Sequence, residues 1–219
     1  GLELQAMDSA HVALVELKLD ALFFNKFECS TDMSLGFELK NFAKILKCCS
    51  ASDALELTAK PNSNRLTVKF SGSGTTSQFE LKLLDNSEDD EFEIGEDDEA
   101  MKINLESDKF KKTISDLSQL GGDTITIETD SSKGHVIFSV EGPIGTGSVL
   151  FEDQDVTSNI SHTFALQYLN YFAKCAVLSH EVTLCLSDTH PICVKYEINK
   201  HSASDYGTLK FFLAPKIEE

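Results

Sequence analysis

Apolar and polar residues alternate with a period of two along most of this chain. The pattern runs through VALVELKL (Val12 to Leu19), LELTA (Leu55 to Ala59), LTVKF (Leu66 to Phe70), FELKL (Phe79 to Leu83), TITIE (Thr124 to Glu128) and CVKYEI (Cys193 to Ile198). It predicts strands with one face buried and the other wet. Turn-forming clusters separate the strands: PNSN from Pro61, SGSG from Ser71, SSKGH from Ser131 and GPIGTG from Gly142. Short turns between half-buried strands make hairpins, and hence mainly antiparallel sheet.

Three segments, LKNFAKILKCC, DKFKKTISDLSQL and ALQYLNYFAKC, switch to helical spacing. Each is followed, after a short loop, by an alternating strand: ALELTA, TITIET or VTLCLS. The same helix-then-strand unit therefore occurs three times, its strands starting at Asp53, Asp123 and Glu181. Intervals of 70 and 58 residues suit half-domains better than short solenoid repeats. The expected class is α+β, two similar domains of antiparallel sheet with short helices.

Between the first unit and the other two lies Asp85 to Glu99, DNSEDDEFEIGEDDE, in which ten of fifteen residues are acidic. Repelling carboxylates keep such a segment extended and solvated, because it buries too little apolar surface to offset the entropy of folding. It reads as a tether joining an N-terminal domain over residues 1–84 to a C-terminal domain over 102–219, with the connector at 85–101. A two-plus-two plan leaves the first half one unit short. Phe92 and Ile94 stand two positions apart in the connector, so in extended chain they point the same way and can lean on a folded body.

Net charge is −17, of which the connector supplies −10 and the remainder −7. A chain this acidic repels nucleic acid as a whole, so any contact with phosphates must be local. The helices are where positive charge gathers. The first carries Lys40, Lys44 and Lys47 at i, i+4 and i+7, opposite a core stripe of Leu39, Phe42 and Leu46. The second carries Lys109, Lys111 and Lys112 against Asp108 and Asp116, with Phe110, Ile114 and Leu117 facing inward. The third shows Gln167, Asn170 and Lys174 at i, i+3 and i+7. Lysines are also ordinary solvated helix formers. Repetition of the bias over three helices points instead to an anion-facing surface. Lysine is a flexible point charge, so such a surface suits sequence-independent contact that can slide.

Motifs for catalysis are lacking. GPIGTGS has no GK[ST] ending and sits between strands, as a hairpin turn does. The acidic connector lacks calcium-loop spacing, and the six histidines show no metal-ligand spacing. His11 in MDSAHVAL has no nucleophile and base placed with it. No cofactor and no metal are expected. The six cysteines, Cys29, Cys48, Cys49, Cys175, Cys185 and Cys193, lie in apolar contexts without CxxC spacing, which predicts buried, unbridged thiols in a reducing compartment. No apolar run is long enough to cross a bilayer, and no signal segment opens the sequence, so no membrane partner is expected.

Four stretches, MDSAHVAL (Met7 to Leu14), AKILKCC (Ala43 to Cys49), FALQYLNYFAK (Phe164 to Lys174) and the terminal LKFFLAPKIEE (Leu209 to Glu219), resemble the eukaryotic DNA sliding clamps of the proliferating cell nuclear antigen family. The similarity covers essentially the whole chain. It implies the DNA-clamp fold: a nuclear homotrimeric ring, helices lining the hole and sheets forming the wall, around duplex DNA. It implies a non-enzymatic processivity factor, set on DNA by a clamp loader, that recruits DNA polymerases and other docking-motif proteins. By position it implies that Lys40, Lys44, Lys47, Lys112 and Lys174 face DNA. It implies a client-peptide pocket from Met7, His11, Val12, Leu14, Phe92, Ile94, Pro191, Phe212, Leu213, Ala214 and Pro215. Lys133 matches a family lysine that receives ubiquitin-like modifiers. Subunit contacts fall to Gln78 to Leu84, with Phe79, Leu81 and Leu83, against Ser148, Val149, Leu150 and Phe151 of the next copy. The family's first strand and helix lie outside this sequence, and an acidic loop between Phe151 and Thr157 is shorter. Ser115 and Gln167 stand where arginine is common, Glu99 replaces an aromatic, Gly95 a proline, and Phe212 a tyrosine. Two other readings are a subunit of a heterotrimeric checkpoint-type clamp, against which the LAPK terminus argues, and an acidic adaptor that does not act on DNA.

Overall fold

A computed structural model describes residues 1–61, 63–84, 100–199 and 205–216. The strands are β1 (Leu2–Met7), β2 (Ala13–Leu19), β3 (Ala54–Ala59), β4 (Arg65–Gly72), β5 (Thr75–Lys82), β6 (Met101–Glu106), β7 (Thr124–Asp130), β8 (His135–Gly142), β9 (Gly145–Phe151), β10 (Ser161–Ala165), β11 (Glu181–Leu186), β12 (Ile192–Asn199) and β13 (Asp205–Leu213). The helices are α1 (Leu39–Leu46), α2 (Ser107–Ser118) and α3 (Leu166–Ala173), with 3₁₀ turns at Ala21–Phe23 and Lys174–Leu178. Every strand pairing is antiparallel, as the alternation predicts. All three helical segments form, each ahead of its strand. No helix among the described residues is long and apolar enough to cross a membrane.

The chain folds as two compact units. One, residues 28–91, holds the sheet β3-β4-β5 with α1. Its core is Leu66, Val68, Phe70 and Leu81, against which Phe42, Ile45 and Leu46 of α1 pack. Leu39, assigned to the same stripe from the sequence, is instead 43% exposed. It opens the helix, where no further turn continues the stripe, and Ile45 takes the inward place. The β4–β5 hairpin closes through Ser73 (φ 49°) and Gly74 (φ 77°), the left-handed pair that a two-residue turn requires.

The other unit, residues 1–27 and 92–219, contains two sheets. A six-stranded sheet has the order β1-β2-β13-β12-β11-β6 and a four-stranded one the order β10-β7-β8-β9. Because β2 pairs with β13, the first two strands share a sheet with the last three. A single core gathers Val182, Leu184, Ile192, Val194 and Tyr196 from the first sheet, Ile125, Ile127 and Phe138 from the second, and the inward stripes of α2 and α3. Gly121 (φ 76°) ends α2 in the left-handed conformation that favours glycine. The GPIG segment is the β8–β9 turn. A side chain at Gly142 would stand 2.2 Å from the Leu120 carbonyl oxygen, so only glycine lets this hairpin close against the end of α2.

The cysteines depart from expectation. All six are unbridged, but Cys29 and Cys48 are exposed, Cys49, Cys175 and Cys185 half-buried, and only Cys193 buried. An apolar neighbour in a strand lies on the opposite face, so LCL places its cysteine away from the core that holds both leucines.

Candidate DNA-facing helices and docking surface

In α1, Lys40, Lys44 and Lys47 are all exposed, on the side away from Phe42 and Leu46. Lys44 Nζ lies 3.5 Å from Asn41 Oδ1, in the last turn, where a cation also suits the helix dipole. In α2, Phe110, Ile114 and Leu117 are buried and the three lysines exposed. Two of these are engaged: Lys109 Nζ is 2.9 Å from Glu106 Oε1, and Lys112 pairs with Asp116 one turn on. Lys112 thus carries its own counter-charge, and Lys111 beside it is exposed as well.

The third helix is shorter than its pattern suggests. It tightens into 3₁₀ geometry at Lys174, whose Nζ sits 4.9 Å above the centre of the Tyr171 ring. Gln167 is exposed, but Asn170 is half-buried and does not belong to an anion-facing stripe. Its Nδ2 donates to Ser118 Oγ at 2.8 Å and to the Leu166 carbonyl at 3.3 Å, fastening α3 to the end of α2. Sequence spacing could not reveal this, because the partner lies 52 residues away.

Of the apolar residues assigned to a pocket, Met7, Leu14 and Phe212 lie on the outer face of the six-stranded sheet. Strand register places Met7, Leu14, Phe212, Cys193, Cys185 and Lys102 directly opposite one another in a single row across all six strands. Leu14, Phe212 and Cys193 form a buried cluster with Met7 and Cys185 packed against it. The next outward row reads Gln5, Glu16, Lys210, Lys195, Thr183 and Asn104. It is charge-paired: Glu16 Oε1 lies 3.5 Å from Lys210 and 3.8 Å from Lys18, and Lys195 lies 2.5 Å from Glu197. The apolar patch therefore ends at a polar border. Leu213 is not part of it. Strand alternation turns Leu213, 1% exposed, into the core with Leu209, leaving Lys210 and Phe212 between them on the outer face. Ala214, Pro215 and Pro191 are half-buried, and Val12 is 38% exposed. Phe92 and Ile94 lie outside the described residues.

The β1–β2 turn beside this patch is held by a residue that pattern reading passed over. Asp8 Oδ1 accepts from the Val12 and Ala13 amides, each at 2.9 Å, and Oδ2 from the Tyr168 hydroxyl at 2.6 Å. The tyrosine hydrogen bond, then the backbone amides, lower the Asp8 pKa to about 2, and the same bond raises that of Tyr168. An aspartate opening a tight turn is a recognisable signal, whereas its bond to α3 is not. His11, at φ 56° in this turn, places Nδ1 3.1 Å from Met7 Sδ.

The stretches assigned to subunit contact form sheet edges. β5 is the last strand of its sheet and β9 the last of the four-stranded one. Phe79 and Leu83 pack on the small core beside buried Leu81, while Val149 and Phe151 pack on the large one. Leu150 is 45% exposed and Ser148 is exposed. Lys133 is exposed in the β7–β8 turn, 3.1 Å from Asp130. The Ser132 hydroxyl and then Lys133 lower the Asp130 pKa to about 2.

Residues 1–92 match the profile of the N-terminal domain of proliferating cell nuclear antigen, and residues 93–216 that of its C-terminal domain. Proliferating cell nuclear antigen 2 of Drosophila melanogaster is 37% identical over 228 aligned residues, which cover all of this chain and 86% of that protein.

Proposed function

Because the chain belongs to the proliferating cell nuclear antigen family of DNA sliding clamps, we propose that three copies close into a ring around duplex DNA in the nucleus and tether replication and repair proteins there. It works as a processivity factor rather than an enzyme, and a separate ATPase loads it. The observation that carries this reading is the placing of charge. In a chain of net charge −17, three short helices turn apolar stripes inward and leave Lys40, Lys44, Lys47, Lys112 and Lys174 exposed. Lysines spread along helices attract the phosphate backbone without reading base edges, so the protein is held to DNA but not to a sequence. The acidic remainder discourages contact anywhere else.

On this reading the chain comprises two clamp domains, residues 1–84 and 102–219, joined by the connector at 85–101. The unpaired edge of β5 in one copy adds to that of β9 in the next, and threefold closure removes both exposed edges. The apolar row from Met7 to Cys193, completed by Val12, Pro191, Ala214, Pro215 and the connector residues Phe92 and Ile94, receives a short helical turn of a client peptide with its aromatic anchors. The acidic connector attracts basic residues flanking that motif. The decisive experiment combines solution mass with polymerase extension on primed circular DNA. A trimer of about three chain masses that lengthens products is expected, and replacing Lys44, Lys47 and Lys174 together by alanine abolishes the stimulation while leaving the trimer. A stable monomer without stimulation overturns the proposal.

A further inference from the structure

The outer face of the six-stranded sheet holds two facing thiols, one of which ends the apolar row described above. Cys185 of β11 and Cys193 of β12 are directly opposite in antiparallel register. Both belong to the same outer cluster. Directly opposite residues in an antiparallel pair have Cα atoms about 4.5 or 5.5 Å apart, and either spacing lies within the range of about 4.4–6.8 Å that a disulfide spans. The third cysteine of this region, Cys175, packs on the other side of the sheet, in the main core, and cannot reach them. On its other flank Cys185 stands opposite Lys102 of β6, an exposed lysine on the same face. The thiolate is the form of a cysteine that reacts with a peroxide. Cys185 is half-buried and open to a small oxidant, whereas Cys193 is 9% exposed. One strand pair thus brings together a reachable thiol and a second thiol positioned to resolve it.

We propose that Cys185 and Cys193 are a redox modification site, forming a reversible cross-strand disulfide when the protein meets a hydroperoxide. The Cys185 thiolate attacks the peroxide oxygen, the O–O bond breaks, and a sulfenic acid forms with release of water from hydrogen peroxide. Cys193 sulfur then attacks Cys185 Sγ and expels the sulfenic oxygen as a second water. Overall the two thiols lose two electrons and two protons, and the peroxide takes them up. In a reducing compartment such a bond is transient, which is how intracellular disulfides serve as signals. Cys193 also touches Phe212 in the apolar row, and bonding draws its sulfur toward Cys185 and away from that neighbour. If the row is the client pocket proposed above, oxidation weakens docking there.

The test treats the full chain with hydrogen peroxide, blocks remaining thiols, and maps disulfides by mass spectrometry. No lysine or arginine separates Cys175, Cys185 and Cys193, so cleavage at Glu181 and Asp188 is needed to part them. A reducible link between the Cys185 and Cys193 fragments, lost in Cys185→Ser and in Cys193→Ser, is the expected result. Overoxidised or singly blocked Cys185 without that link, or a link to Cys175, overturns the proposal. A docking-motif peptide is then titrated against both states. It binds the oxidised protein about fivefold more weakly, and the Cys185→Ser/Cys193→Ser double variant is indifferent to peroxide. Equal affinities refute the effect on docking. Failure of the peptide to bind the reduced protein refutes the docking pocket itself and leaves the disulfide result standing.

Discussion

Helices α1 and α2 share a design and differ in depth. Both alternate lysines with an apolar stripe, yet α1 buries none of its residues whereas α2 buries Ser107, Phe110, Thr113, Ile114 and Leu117. The cause lies above and below them. α1 has one three-stranded sheet to pack on, and β3 of that sheet leaves Leu55 47% and Leu57 37% exposed. α2 contributes to a core filled by two sheets and by α3. An amphipathic pattern therefore states which face of a helix turns inward, while the number of layers decides how far from water it goes. A unit with so small a core has less surface hidden per residue and less stability to lose.

The sharpest way to break this comparison is to empty a position in each core. Phe110→Ala removes a ring that is 0% exposed and is expected to cost about 4 kcal/mol. Val68→Ala, also 0% exposed, is expected to cost about 2 kcal/mol. Chemical denaturation followed by hydrogen exchange should find the first loss in residues 101–213 and the second in residues 28–84. If each variant lowered protection evenly over the whole chain, the two units would unfold as one and the contrast between them would fail. Asn170→Ala is a finer probe. It deletes the α3-to-α2 hydrogen bond and should cost about 1 kcal/mol, confined to the larger unit.

Acid should act on the larger unit first. Asp8 and Asp130 both belong to it, and each has its pKa lowered from 3.8 to about 2 by hydrogen bonds made only in the fold. A carboxylate depressed in this way stabilises the native state above its unfolded value and loses that contribution as pH falls through the folded one. Stability of the larger unit should therefore decline between about pH 4 and pH 2. Asp8→Asn should flatten part of that decline and loosen the β1–β2 turn, as read by exchange of the Val12 and Ala13 amides. An unchanged acid limb would mean that the Tyr168 bond does not hold Asp8 in solution.

Much of this was legible in the sequence. The strand alternations, three helix-then-strand units and the hairpin glycines all depend on neighbours within a few residues, which is where periodicity carries information. Leu213 departs from the pocket assignment because that assignment follows a continuous segment, whereas consecutive strand residues face opposite ways. Cys185 departs from expectation for the same reason, whereas the exposed Cys29 and Cys48 lie outside any strand. Asn170 with Ser118, and Asp8 with Tyr168, were beyond reach: they join residues 52 and 160 positions apart, and no local pattern encodes such a meeting. Pairing of β2 with β13 is of the same kind.

The smallest effects on stability, and the most telling for function, belong to the lysines. Lys47→Ala and Lys112→Ala alter exposed side chains and should each change stability by less than about 0.5 kcal/mol. Their effects on DNA should differ. Lys112 is already paired with Asp116, so removing it takes away a charge that its neighbour largely cancels. Lys47 has no acid one turn away on its own helix, where the positions three and four residues back are Lys44 and Ala43. Lys47→Ala should therefore lower the slope of log affinity against log salt by about 1, whereas Lys112→Ala should lower it by clearly less. Lys112→Ala/Asp116→Ala should return the slope to that of the unaltered protein. Equal losses from the two single variants would mean that the Lys112–Asp116 pair opens when DNA is bound, and that α1 and α2 present their charge alike after all.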